Sequence, residues 1–435
     1  MFDTNTNTNQ TTVVAADPLA PCRAITRRRF LSTMGASVAV AAAGSYGISV
    51  WGSRTPAANA IPVGDLGVGD DVTLVVLEMG GGNDGLNTVI PYASSRYHDL
   101  RRDLAIEDPL VLDDEIGLHP ALGFVADRYA SGDVAIIEGI GYPQPELSHF
   151  ASMGAWWTAL GDDPPQTGWL GRYLDGTLGP NDPLAGVTLG QGPSPAMRGD
   201  TSFSVIVQDS SGIAPAAPAW IDTNDELMEM WAGFAPAAFD DAPLLHRVTE
   251  SVAGTVAAAA FVNPLLENVV SVEGRAGQLN ELMTIAATLI AGANPPRVIM
   301  VHGWGDFDTH QAQSNRHANM LSEVNTALES FFGGVDAAGV GDRVAVMTTS
   351  EFGRRPKSNG SGTDHGTAGA QLVIGSRVAG GRFGEAPSLT QLDARGNMSH
   401  TVDFRSYYAS VLDGFLGVDA DVVLSQSYER MALFS

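Results

Sequence analysis

Beyond about residue 70 the chain alternates short apolar runs with stretches of helical period. Asp71-Val72-Thr73-Leu74-Val75-Val76-Leu77-Glu78 is β-branched and almost continuously apolar, the pattern of a strand buried on both faces. It runs into Gly80-Gly81-Gly82-Asn83-Asp84-Gly85, which reads as a loop. A helix is predicted from His119 to Tyr129, a strand at Val134-Ala135-Ile136-Ile137, a loop from Gly139 to Glu146, and a helix opening at Ser148. Three further strands are predicted at Arg297–Val301, Arg343–Met347 and Gln371–Ile374, with a helix from Asn315 to Phe332 and a closing helix from Phe404 to Leu416. Strands alternating with helices predict an α/β fold, a mostly parallel central sheet with helices on both faces. Between about residues 210 and 293 strand patterns vanish. Helical signals at Asp225–Trp231, Leu244–Ala258 and Gln278–Ala291 read as a helical insertion or cap on the same domain.

The first 60 residues are of another kind. Thr26-Arg27-Arg28-Arg29-Phe30-Leu31 precedes a mildly apolar run, Met34 to Trp51, and then Ala58-Asn59-Ala60. Paired arginines, a Gly- and Ser-diluted apolar stretch and a small-x-small cleavage sequence form a twin-arginine signal. The run is long enough for a membrane anchor, but its composition and the cleavage sequence favour export, with no stable membrane span after cleavage. The expected partner is the twin-arginine translocase, and the expected location is periplasmic or extracellular. Residues 61–435 are then read as a single α/β domain.

Processing would sharpen both composition and charge. The only cysteine, Cys22, leaves with the signal, so no disulfide would support the exported chain. About 375 residues remain, enough for a large core. Five arginines and two aspartates also leave, so 19 basic and 47 acidic side chains remain, a net charge of −28 against −25 for the whole chain. Such a surface repels phosphate backbones and argues against nucleic-acid binding. Converging carboxylates would favour cations, although a proteome adapted to salt has the same composition.

Ligands of open α/β sheets bind outside the carboxyl ends of the strands. The predicted loops there hold Asp84, Asp306, Asp308, His310 and Glu351. Trp304-Gly305-Asp306-Phe307-Asp308-Thr309-His310 puts two carboxylates and an imidazole within five residues, donors that can chelate one divalent ion. Asp308 is equally suited to capping the following helix. Glu351 is either a metal ligand or a partner of Arg354 or Arg355. Asp364 and His365 stand together in a glycine-rich loop. Ser148 is a good N-cap; a hydroxyl there is also a candidate metal-activated nucleophile. His317 and His302 read as helix-surface and strand residues. Gly80-x-Gly82-x-x-Gly85 matches a dinucleotide fingerprint only literally, since Pro91 follows and no helix opens on the glycines. The glycines are read as a sharp turn that presents Asn83 or Asp84 to a ligand. No Gly-x-Ser-x-Gly elbow occurs.

Six ordered motifs resemble the bacterial, twin-arginine-exported family called domain of unknown function 1501. They are Gly81-Gly82-Asn83-Asp84-Gly85-Leu86-Asn87, Ser148-His149-Phe150, Gly168-Trp169-Leu170-Gly171-Arg172-Tyr173, Phe307-Asp308-Thr309-His310, Ser350-Glu351-Phe352-Gly353-Arg354 and Gly362-Thr363-Asp364-His365-Gly366. That family in turn resembles the alkaline phosphatase and sulfatase superfamily. The resemblance implies an alkaline phosphatase-like fold and one or two divalent ions of zinc, calcium, magnesium or manganese. It places Asp84 (or Asn83) as the first-strand acid, Ser148 as nucleophile, Asp306 or Asp308 with His310 as a ligand pair, and His365 as the final histidine. Glu351-Phe352 falls where the superfamily has Asp-His. Phe352 cannot ligate a metal, so one ligand is missing unless His149 or Asp364 replaces it. The resulting expectation is an exported metal-dependent hydrolase of phosphate or sulfate esters, with a small anionic ester as substrate. Arg354 or Arg355 would hold the anion's oxygens. The alternative is a non-catalytic envelope binding protein on a degenerate sulfatase-like fold. A dinucleotide oxidoreductase using the Gly80 loop is the third reading.

Overall fold

A computed structural model describes residues 71–160, 167–177, 182, 184–202, 204–213, 224–233, 243–272 and 274–435. The twin-arginine motif, Cys22 and the Ala58-Asn59-Ala60 cleavage sequence lie outside the described residues. The chain opens with β1 (Thr73–Glu78), α1 (Gly85–Thr88), β2 (Val89–Ile90), α2 (Ser95–Arg101), β3 (Leu110–Val111) and β4 (Gly117–Leu118). It continues through α3 (Gly123–Ala130), β5 (Val134–Gly141), α4 (His149–Thr158), α5 (Trp169–Thr177), β6 (Gly186–Gly190) and β7 (Val205–Val207). The stretch read as a helical insertion carries α6 (Asn224–Ala232), α7 (Pro243–Leu266) and α8 (Gln278–Ile290). Then come β8 (Val298–His302), α9 (Gln313–Ala337), β9 (Val344–Thr349), β10 (Arg354–Ser358), β11 (Thr363–His365) and β12 (Gly369–Ile374). β13 (Gly381–Gly384), β14 (Val402–Asp403), α10 (Phe404–Gly414) and α11 (Ala420–Leu424) close it.

Among the described residues the main sheet has nine strands in the order β13-β5-β12-β9-β1-β8-β6-β7, with β14 also on β5. β1 is central and pairs in parallel with both β8 and β9. Its side chains alternate, and both faces are covered, which is why the strand is apolar throughout. Val75 and Leu77 pack with Val125 of α3, Val262 of α7, Leu282 of α8 and Phe331 of α9. Leu74 and Val76 face the other way, with Trp156 of α4, Leu170 of α5, Tyr407 of α10 and Val423 of α11. Helices therefore cover both faces of a mixed, mostly parallel sheet. Among the described residues no helix is long and apolar enough to cross a membrane.

Two features depart from the strand-helix alternation. The apolar pattern does not predict β6 and β7, because five and three residues flanked by glycine or serine carry too little signal. Their existence rests on the parallel pairing of β6 with β8 and β7. β12 runs antiparallel to both β9 and β5. Between β9 and β12 the chain forms only the β10–β11 hairpin, and a return without a crossover helix must reverse direction. α3 starts at Gly123, not His119, since His119 N–H donates to Thr88 C=O at 3.0 Å and Pro120 comes next. The β10–β11 hairpin has the most direct bearing on the site. It sits at the carboxyl end of β9 and pairs Arg354 directly with His365.

Candidate metal centre

The turn after β1 is the foundation of the site. Gly81 and Gly82 have φ of +107° and +78°, and a Cβ on Gly81 would lie 2.5 Å from the amide nitrogen of Asp308. Only glycine lets the loop after β8 come this close, and Phe307 N–H donates to Gly80 C=O at 2.9 Å. The turn thereby places Asp308 at the carboxyl end of β1. It is sharp, as read from the glycines, but it sends Asn83 and Asp84 into the core instead of towards a ligand. Asn83 is 3 % exposed, and its N–H donates to Ser350 Oγ at 2.8 Å. Asp84 is fully buried. Its two oxygens each accept from Arg101, both at 2.6 Å, and Gln313 Nε2 donates to Oδ2 as well. With both oxygens so occupied, Asp84 does not join the other candidate ligands.

Four side chains do converge. Asp308 Oδ1 lies 3.1 Å from His310 Nε2 and 3.1 Å from His365 Nε2, and those two nitrogens are 3.0 Å apart. Asp308 Oδ2 faces His149 Nε2 at 3.6 Å. One ligand atom each from His149, Asp308 and His365 lie within 4.8 Å of one another. His365 Nδ1 is 2.9 Å from Leu147 C=O, an acceptor only, so Nδ1 carries a proton and Nε2 is the ring atom turned to the cluster. His149 is the first residue of α4, with its Nδ1 2.7 Å from Glu351 Oε1. That hydrogen bond raises the His149 pKa against the opposing effect of burial. For Asp308, burial works to raise the pKa, but hydrogen bonds from Arg354 and His365 and the nearby positive charge outweigh it. The carboxyl titrates at about 2 and stays an anion. Imidazole nitrogens and a carboxylate oxygen on one centre are a donor set that suits a divalent transition-metal ion. The side chains of His310, Asp308 and His149 are 42 %, 33 % and 31 % exposed, so the centre is open to solvent.

The remaining candidates fall outside this group, each for a physical reason. Asp306 is bound to its own loop: Oδ1 accepts Asp308 N–H at 3.0 Å and Oδ2 accepts from Arg316 at 3.0 Å. Glu351 stands behind His149, and its oxygens also accept Gly81 N–H at 2.9 and 3.1 Å. Asp364 stands behind His310, with Oδ1 3.5 Å from His310 Nδ1, and pairs at 3.6 Å with Arg355. Arg354 is not placed to clamp a substrate anion. It is 1 % exposed and donates to the carbonyls of Gly82 at 2.7 Å, Thr363 at 3.0 Å and Phe307 at 3.1 Å, to Gly81 C=O, and to Asp308 Oδ1 at 2.6 Å. Its donors knit together three loops. Ser148 is the exposed N-cap of α4, and its hydroxyl makes no capping hydrogen bond. Phe352 packs its ring 5.0 Å from that of His149 and 4.5 Å from that of His365.

His149 was visible in the sequence only as a stand-in for the missing ligand. Its signal was position, one residue beyond a helix N-cap at a strand end. His317 is the opposite case. Read as a helix-surface residue, it is 2 % exposed, with Nε2 2.9 Å from Asn83 Oδ1. Burial pushes its pKa from 6.5 down to about 4. A depressed histidine pKa means the stabilisation is complete above pH 6.5 and lost as the pH falls towards 4. The metal-free protein is expected to lose about 3 kcal/mol from this group across that window. Urea unfolding at pH 7 and pH 4 measures it, and His317→Gln should flatten the dependence.

No curated protein matches the chain. Among solved structures, the chain is similar to a protein in the alkaline phosphatase superfamily from Vibrio parahaemolyticus. The identity is 9 % over 92 % of this chain and 79 % of that one, with a TM-score of 0.39. It is also similar to alkaline phosphatase from the Antarctic bacterium TAB5, at 10 % identity over 71 % and 92 % of the two chains and a TM-score of 0.32. A 2-O GAG sulfatase matches at 10 % identity over 71 % and 65 %, with a TM-score of 0.31. Residues 141–412 fit the family described as protein of unknown function DUF1501, and the chain belongs to that family.

Proposed function

We propose that this protein is an exported, metal-dependent hydrolase of phosphate or sulfate esters. The observation that carries the reading is the convergence of His149, Asp308 and His365, with His310 beside them, at an open face of the strand ends. These residues would hold a divalent ion, which would polarise the ester oxygen and lower the pKa of an attacking hydroxyl. Asp308 supplies fixed negative charge, since it stays ionised down to about pH 2. His365 keeps a proton on Nδ1 through Leu147, so its Nε2 is the nitrogen that would donate a lone pair to the ion. Ser148, uncapped and next to His149, is the proposed nucleophile. Arg355, and not Arg354, is the guanidinium proposed to meet the ester's outer oxygens, because its side chain is 32 % exposed where that of Arg354 is buried. The Thr26–Leu31 motif supports delivery by the twin-arginine translocase to the periplasm or beyond.

The test is metal analysis of protein recovered from the native export route, joined to turnover of aryl phosphates, phosphodiesters and sulfates. Bound divalent metal near one per chain is expected, with hydrolysis that a chelator abolishes and the ion restores. Protein without stoichiometric metal sinks the reading. A second reading, a non-catalytic binding protein, draws on Phe352, whose apolar ring packs against two of the candidate ligands. Stoichiometric metal with no turnover of any of these esters would favour it.

A further inference from the structure

We infer that Glu351 is a positioning residue, which acts on the metal centre through His149 and not as a ligand. The inference rests on the metal-centre reading of the site, and it concerns how the chain prepares one of its ligands.

Glu351 lies two residues beyond the end of β9, and its side chain is 2 % exposed. A carboxylate this deep needs its lone pairs filled, and here they are filled from two sides. Gly81 N–H donates to both oxygens, at 2.9 and 3.1 Å, and His149 Nδ1 lies 2.7 Å from Oε1. A carboxylate can only accept, so His149 carries a proton on Nδ1, and the neutral ring, the form that can ligate a cation, has its lone pair on Nε2, the atom that faces Asp308. Glu351 thus selects the tautomer in which His149 can donate to a cation, and its charge makes that nitrogen more basic. Moving Glu351 to the cation itself would strip it from both partners and leave the Gly81 N–H unpaired.

The ring is also held by packing. It meets the His365 ring edge-on at 4.4 Å and the Phe352 ring at 5.0 Å. The next polar side chain of the same segment does the corresponding work on Asp308. Arg354 donates to Asp308 Oδ1 at 2.6 Å and to the carbonyls of Gly81 and Gly82, while Glu351 accepts from the Gly81 N–H. Residues 351 to 354 grip one turn through both its donor and its acceptors, and they point one ligand side chain from each end.

The experiment uses the metal-stripped protein and zinc alone as the probe. Zinc affinity is measured by competition with a chromophoric chelator for wild type, Glu351→Gln, His149→Ala and the double variant. Glu351→Gln is expected to weaken zinc binding about 10- to 100-fold while the metal-free Tm stays within a few degrees. In the His149→Ala background the same change should cost little more, because its effect runs through the missing ring. An undiminished affinity, or an equal loss in both backgrounds, overturns the inference. A wild type that binds no zinc overturns the metal-centre reading itself, a distinguishable failure. Should Glu351→Gln not fold, side-chain 15N shifts of metal-free wild type decide: a His149 ring protonated on Nε2 and bare on Nδ1 is incompatible with the assignment.

Discussion

His365→Ala is expected to abolish stoichiometric metal binding and to lower ester hydrolysis by about a thousand-fold. The figure converts about 4 kcal/mol of transition-state stabilisation at about 1.4 kcal/mol per tenfold, a conservative share for a metal acting on a developing oxyanion. His365 is chosen because it touches three parts of the centre. Its Nε2 meets both Asp308 and His310, and its Nδ1 is anchored on the Leu147 carbonyl just before α4. The side chain is 18 % exposed, so truncation leaves a gap reachable by water and not a cavity in the sheet core. The fold should therefore survive. Metal content by elemental analysis and turnover of an aryl ester would be read on the same sample. Full metal with wild-type turnover would remove His365 from the centre.

Asp84→Asn should behave in the reverse way, losing stability and keeping metal. Asp84 and Arg101 are each fully buried and joined by two hydrogen bonds of 2.6 Å. Neutralising one partner leaves the guanidinium charged in a dry interior, a change that costs about 3–5 kcal/mol. The damage should not stop there, because Gln313, which also donates to Asp84, accepts from Thr363 Oγ1 at 2.7 Å at the start of β11. Urea unfolding of metal-free protein measures the loss. Metal content at 4 °C, where the weakened protein is still folded, should remain that of wild type. A variant as stable as wild type but without metal would return Asp84 to the ligand set.

These expectations mark what was legible in the chain and what was not. β1, β5, β8 and β9 could be read from apolar runs, because a strand buried on both faces leaves a local signature. Asp308, His310 and His365 could be read as candidates, since chelating residue types stood together in loops at strand ends. Asp84, Asp306 and Glu351 had the same credentials and went elsewhere. What separates them is the partner, and partners are distant. Arg101 lies 17 positions from Asp84, Gln313 lies 229 positions from it, and Glu351 lies 202 from His149. A one-dimensional pattern reports residue type and period. It does not report which polar group will have its lone pairs filled inside the protein and which will be left facing solvent.

The sequence by itself thus determined the α/β class, the order of the main strands and helices, and the loops from which a site had to be built. The tertiary structure decided the direction of β12, the short strands β6 and β7, and the membership of the centre. The physical reason is common to all three. Strand direction depends on how the chain returns to the sheet, short strands exist only through their neighbours, and a buried charge is stable only beside the group that neutralises it. Each depends on contacts made after folding, and His149 joins the cluster through such a contact.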